Sequence, residues 1–249
     1  MRYDRVFVMN APGWYGKLPT LGDFASRRLD DTFMEAWDAW LAEGITQLQG
    51  DGAADWPKGY LESPSWRFIL MPGALKGAAG KTAWAGVLMP SVDRVGRYFP
   101  FTIAQALAEL PQDPPAFRRL SDWCDKVDDI AVNALFNDWG LQQLEDEVLA
   151  TPLVLRDADA IPLAAASASS DAQGARTFQP LNFNDLMLEH ALCSLTRLND
   201  MSLWLANAHE GTSAVIATRG LPSASEFGAL LGGRPLPNRT LQDALQIAR

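Results

Sequence analysis

Trp84-Ala-Gly-Val-Leu-Met-Pro-Ser-Val-Asp-Arg-Val-Gly-Arg-Tyr-Phe-Pro-Phe-Thr102 is two apolar runs on either side of a charged corner. Trp84–Met89 and Tyr98–Ile103 have the length and apolar content of buried strands. Pro90-Ser91 and Gly96-Arg97 close the interval between them as turn residues do. Inside that interval sit Asp93, Arg94 and Arg97. The stretch reads as a hairpin-like corner that presents one carboxylate and two guanidinium groups from a stiff turn. An ordinary hairpin with an internal Asp–Arg pair is the plainer reading, and the spacing leaves both open. Pro100, which cannot donate to a ladder, predicts an edge position or a bulge for the second run.

Working outward, β signals surround one helix in the first half. Val6–Met9 and Trp14–Leu18 are short β-prone runs separated by the turn sequence Asn10-Ala-Pro-Gly13. Asp30-Asp31-Thr32 supplies an N-cap, and Phe33, Ala36, Trp37, Trp40, Leu41, Ile45 and Leu48 recur at helical spacing until Gly50-Asp-Gly52. Trp66–Met71 reads as a buried strand closed by Pro72-Gly73. Phe117–Ala150 reads as one helix, long or broken at Gly140. Ile161–Arg176 is low in complexity and is expected to be a mobile loop, followed by a helix over Asp185–Leu198. Ser202–Ala206 and Ala214–Thr218 form a hairpin pair. Ser223-Ala-Ser-Glu226 is a capping box that opens a helix through Leu231, and Asn238–Ala248 is expected to be the last helix. Strands linked as hairpins predict an α+β fold, with a largely antiparallel or mixed β-sheet and packed helices. One domain over 1–249 is expected, with two subdomains divided near 105–116 as the open alternative.

The chain has 249 residues, is 48% hydrophobic and contains nine Trp and eleven Phe, enough for a large core. Its net charge of −9 argues against nucleic acid, which needs a basic footprint. No window is long and apolar enough to predict a membrane span. Cys124 and Cys193 read as reduced core thiols of a cytoplasmic protein.

The chemical motifs are weak. Gly73-Ala-Leu-Lys-Gly-Ala-Ala-Gly-Lys-Thr82 resembles a phosphate loop only in composition. Leu75 stands where a glycine is needed, and Thr82 leads into a strand rather than a helix. A flexible hairpin loop is expected instead. Of the two histidines, His190 and His209, His190 has only Cys193, three residues on, as a possible companion, and one pair does not make a metal site; a catalytic thiol at Cys124 or Cys193 is not expected, and no nucleophile elbow is present. Leu144-Glu-Asp-Glu147 reads as a solvated helix face. No catalytic, cofactor-binding or metal-binding residue is expected.

A second segment is informative: Gly13-Trp-Tyr-Gly-Lys-Leu-Pro-Thr-Leu-Gly-Asp-Phe24, followed by Arg27-Arg28-Leu29. Together with Phe33, Trp37-Asp-Ala-Trp-Leu41, Trp66-Arg-Phe68 and the Trp84–Pro100 stretch, it resembles the N-terminal domain of the TagF family, which is associated with bacterial type VI secretion. Ser202-Leu-Trp204 and Arg219-Gly-Leu-Pro222 with Phe227 resemble its later part. Leu205 and Phe101 depart from the family's usual Trp and Leu. The resemblance implies a cytoplasmic, non-enzymatic accessory protein that represses assembly of the secretion apparatus post-translationally. It implies as partner the forkhead-associated scaffold protein of that system. Some members are fused to a metal-dependent serine/threonine phosphatase, a domain this chain is expected to lack.

Lys17, Asp23, Arg27, Ser91, Asp93, Arg94 and Arg97 are the candidate residues, for partner binding or as fold determinants. A competing reading makes Lys17, Asp23, Asp93, Arg94 and Arg97 a polar pocket for a carboxylate or phosphate, in a small-anion or phospho-ligand binder or an enzyme. The two charged segments are expected to lie close together and share one polar network.

Overall fold

Every residue of Ala83–Met89 is buried, which a strand achieves only when both faces of its sheet are covered. The computed structural model of the chain describes residues 11–20, 23–50, 55–155, 199–207 and 213–233. Among them β1 (Gly13–Gly16), β2 (Ala25–Arg27), β3 (Trp66–Leu70), β4 (Ala83–Met89), β5 (Phe101–Leu107), β6 (Met201–Asn207) and β7 (Ser213–Arg219) form one sheet. Its order is β2-β1-β5-β4-β3-β6-β7, and every pairing is antiparallel. The fold is α+β with an antiparallel sheet, as the hairpin pattern predicts.

Side-chain alternation splits the core into two layers. On one face Trp14, Ile69, Ala85, Val87, Phe101, Ile103 and Leu203 pack under α3 (Pro114–Phe136) and α4 (Leu141–Leu149). On the other, Trp66, Phe68, Trp84, Leu88 and Trp204 pack under α1 (Asp31–Gly50), α2 (Trp56–Leu61) and α5 (Ala224–Leu231). Gly86 sits between strands where little fits: a Cβ there would lie 2.1 Å from the Ile103 carbonyl oxygen.

The caps fall where the sequence places them. The Asp30 carboxylate accepts from Phe33 N–H (2.7 Å) at the start of α1. Ser223 and Glu226 complete the capping box of α5. Asp113 accepts from Ala116 N–H (2.8 Å) to open α3, and Gly140 caps α4, so the Phe117–Ala150 pattern is two helices. β3 and β4 pair directly, and the Gly73–Thr82 segment is their connection, not a phosphate loop.

Three differences have physical causes. β5 is central rather than at an edge, because Pro100 lies one residue ahead of the ladder and costs it no donor. β2 is only three residues long, too short to register as a periodic run. The helix α2 has six residues, too few to show a helical period, although its proline stands in the first turn, where helices favour it. The expectations for Val6–Met9, Ile161–Arg176, Asp185–Leu198, Asn238–Ala248, Cys193, His190 and His209 lie outside the described residues.

Tryptophans hold the second layer together. Trp37 is fully buried, 4.9 Å from Phe68 and 6.1 Å from Trp204 between ring centroids, and donates to Thr102 Oγ1 (2.9 Å). Trp40 is half-buried and donates to the Pro222 carbonyl (2.8 Å). Trp123 is buried on α3 and donates to the Thr151 carbonyl (3.1 Å). α1 and α5 touch at Gly44, where a Cβ would lie 2.4 Å from the Phe227 ring.

Trp37→Ala is therefore expected to cost ~3–5 kcal/mol in denaturant unfolding; a loss below about 1 kcal/mol would contradict a core role. Gly44→Ala tests the helix contact with opposite signs. Propensity alone predicts a gain of about 1 kcal/mol, whereas the Phe227 contact predicts a net loss.

Candidate functional site

The Asp93 carboxylate is the centre of the charged corner. β4 ends at Met89, and Ser91 and Asp93 turn inward and are buried. Val92 bridges to Tyr98 across the turn, and Phe99 N–H donates to the Ser91 carbonyl (3.1 Å). Gly96 sits at φ 79° at the tip, a conformation that glycine adopts without strain. Asp93 Oδ1 accepts from Val95 N–H (3.0 Å) and Arg97 N–H (2.9 Å). Oδ2 accepts from Arg97 Nε (2.6 Å) and Lys17 Nζ (3.3 Å).

Lys17 arrives from the β1–β2 connection and is itself buried. Its carbonyl accepts from Ser91 Oγ (2.7 Å), so the two segments are tied by backbone as well as charge. Gly16, at φ 135°, lets the chain turn there; a Cβ would meet the Pro100 carbonyl oxygen at 2.4 Å. Tyr60 of α2 closes the inner side: Ser91 N–H donates to its hydroxyl (3.0 Å), which donates to the Ser91 carbonyl (3.1 Å).

Burial alone would raise the Asp93 carboxyl; the donors from Arg97, Lys17 and Val95 outweigh it and hold the group well below the usual carboxylate range. Burial drives the Tyr60 hydroxyl well above its ordinary value. Neither group is poised to exchange a proton near neutral pH.

The other candidates are distributed differently. Arg94 is exposed, and Arg97 is half-exposed beyond its pair with Asp93. Asp23 is exposed and accepts from Phe24 N–H (2.8 Å). Arg27 is exposed on β2 and donates to the Ser26 carbonyl (2.8 Å). The structure therefore joins Lys17, Ser91, Asp93 and Arg97 in one network and leaves Asp23, Arg27 and Arg94 at the surface.

Sequence reasoning missed a second network. Arg28, at φ 60°, donates bidentately to Glu145 of α4 (2.6 and 3.2 Å) and to the Pro12 carbonyl (2.9 Å). The Trp14 indole donates to the same carboxylate. Burial would raise the Glu145 carboxyl, but these donors lower it below its ordinary value. The Leu144–Glu147 segment is thus not simply a solvated face: Leu144 is buried and Glu145 is paired. On α3, burial pushes the Cys124 thiol up to about 12, in keeping with an inert core cysteine.

Among the described residues there is no group of three or more His, Cys, Asp or Glu that could hold a metal ion. No described helix is long and apolar enough to cross a membrane.

Comparison with known proteins gives one family. The family model described as TagF N-terminal domain, type VI secretion system-associated, matches residues 13–151. That span holds both charged segments. Among solved structures, the chain is similar to PA0076 from Pseudomonas aeruginosa PAO1, with a TM-score of 0.65 and 32% sequence identity. The likeness covers 92% of this chain and 98% of that one, so it continues beyond the family match. No curated protein sequence matches the chain.

The lowered Asp93 carboxyl fixes a pH dependence. Its contribution to stability is fully present above the ordinary carboxylate pKa of about 3.9 and is lost as pH falls from there through the lower folded-state value. Asp93→Asn is expected to be less stable than the parent at pH 7, with the gap narrowing below about pH 4. Denaturant unfolding of both proteins between pH 7 and pH 3 checks this, and a gap independent of pH would contradict the charged network.

Proposed function

The chain belongs to the TagF N-terminal domain family of type VI secretion-associated proteins, and from that premise we propose that it is a non-enzymatic regulator of this secretion. It represses assembly of the apparatus post-translationally, in the bacterial cytoplasm, by binding the forkhead-associated scaffold protein of the system. The observation that carries the reading is the saturated Asp93 carboxylate. All four of its contacts are donors from the chain itself. A carboxylate so held neither takes nor gives a proton at neutral pH, and a rigid turn so built suits presenting side chains to a partner.

The pocket reading fares worse against the same geometry. Lys17 Nζ and Arg97 Nε, the inner donors of such a pocket, already face Asp93 at 3.3 and 2.6 Å. A carboxylate or phosphate drawn into that inner pocket would have to displace Asp93 from a buried lysine and leave that carboxylate unpaired, which is costly.

Overproduction of the chain is expected to silence type VI secretion while the amounts of the secretion components stay constant, and its deletion to switch secretion on. Secreted effector is measured in the medium and the components by immunoblot of the cells. Silencing accompanied by loss of components would point to control of synthesis, and unchanged secretion in both strains would overturn the reading.

A further inference from the structure

The outer side of the Asp93 network is an apolar and cationic surface built from both charged segments. Val95 is 72% exposed at the tip of the turn, and Phe24 is 44% exposed on the β1–β2 connection. Large apolar side chains this open are unusual on a protein of net charge −9. The two segments that carry them are tied to one carboxylate. Lys17 Nζ lies 3.3 Å from Asp93 Oδ2 and 4.6 Å from the Phe24 ring centroid. Val95 N–H donates to the other oxygen of the same carboxylate.

Phe24 is held from beneath. Its ring packs edge-on against buried Phe99 (4.7 Å between centroids) and stacks on Tyr15 (6.1 Å). An exposed aromatic fixed in one position loses little freedom on binding, which is the property of an interface anchor. The Asp93 turn that carries Val95 also carries exposed Arg94, which no described residue pairs with, and the half-exposed Arg97. Asp23 is the one acidic side chain of the candidate set at this rim, and it caps the Phe24 N–H.

From this surface we infer that the chain docks an acidic segment of a partner protein, with an apolar side chain of that segment seated against Phe24 and Val95 and its carboxylates facing Arg94 and Arg97. The inference rests on the regulatory reading above and supplies the chemistry of its interface. Complementary charge on a protein of net charge −9 also explains selectivity. A net charge of −9 repels an acidic segment overall, so its docking depends on local cations such as Arg94 and Arg97.

The test uses the 249-residue chain and the purified forkhead-associated scaffold protein of the same secretion cluster as probe. Arg94→Glu is expected to weaken binding at least tenfold at low salt, with the defect shrinking as salt rises. Phe24→Ser and Val95→Ser are expected to weaken it by a similar factor at all salt concentrations. Phe136→Ser, on the end of α3 and 81% exposed, is expected to bind as the parent does. Arg97 is left intact because a carboxylate there would face Asp93 and disturb the fold. Circular dichroism and Tm must match the parent for each variant. A scaffold that binds all variants equally overturns the docking surface and leaves the regulatory reading standing. If the scaffold does not bind the parent chain, the regulatory reading fails. Photo-crosslinking from a benzoylphenylalanine at position 95 or 136 in cells then decides the surface alone. An adduct from 95 only, mapped to an Asp/Glu-rich peptide, supports it; no adduct, an equal adduct from 136, or a non-acidic peptide overturns it.

Discussion

Covering an antiparallel sheet on both faces is the constraint from which most of this structure follows. Antiparallel sheets commonly leave one face to water and alternate apolar with polar residues. Here helices lie on both sides, so the central strands must be apolar at odd and even positions alike. Ala83–Met89 and Phe101–Leu107 meet that demand with a mixture of sizes: Trp84 and Leu88 fill one layer, Val87, Phe101 and Ile103 the other, and Gly86 and Ala104 face each other where the backbones are close.

The same constraint decides the fate of every polar side chain inside. Thr102 accepts from the Trp37 indole, and Ser202 shares hydrogen bonds with Thr218 and Trp204. Arg67 projects from β3 toward α3 and pairs with Asp125 and Asp128. Polar groups buried without such partners would cost more than the packing around them returns. Lys17 and Asp93 are the extreme case, a charged pair almost wholly removed from water. Such a pair is retained only with its hydrogen bonds complete, and Asp93 has four.

What could be read from the sequence was whatever depends on neighbours along the chain. The Ser223–Glu226 box, the Asp30 cap, the stripe of Phe33, Trp37 and Leu41, and the pairing of the Ser202 and Thr218 runs depend on spacings of a few residues. The charged corner was visible because Pro90, Gly96 and the aromatic flanks are local signals. Its depth was not: the two charged segments meet as expected, but charged residues are mostly exposed, and the burial of Lys17 and Asp93, 76 positions apart, comes only with the fold. Glu145 was misread for the same reason, since its partners Arg28 and Trp14 lie more than a hundred residues away. Pro100 misled because a proline one residue before a strand and a proline inside one look alike in sequence.

The two ion-pair networks share a task that neither shows alone. β1 and β2 have four and three residues, and β2 is the sheet edge. Their ladders are too short to fix this corner by backbone pairing. Side chains supply the rest from three directions. Trp14 and Arg28 hold Glu145 on one face. Tyr15 donates to Asp38 of α1 on the other. Lys17 holds Asp93 at the turn end. A short, side-chain-anchored edge resists pairing with stray strands and fixes the connection that carries Phe24. The position of that exposed ring is thus set by Asp93 through Lys17 and by Phe99 beneath it, so the outer surface is only as ordered as the buried carboxylate that both segments share.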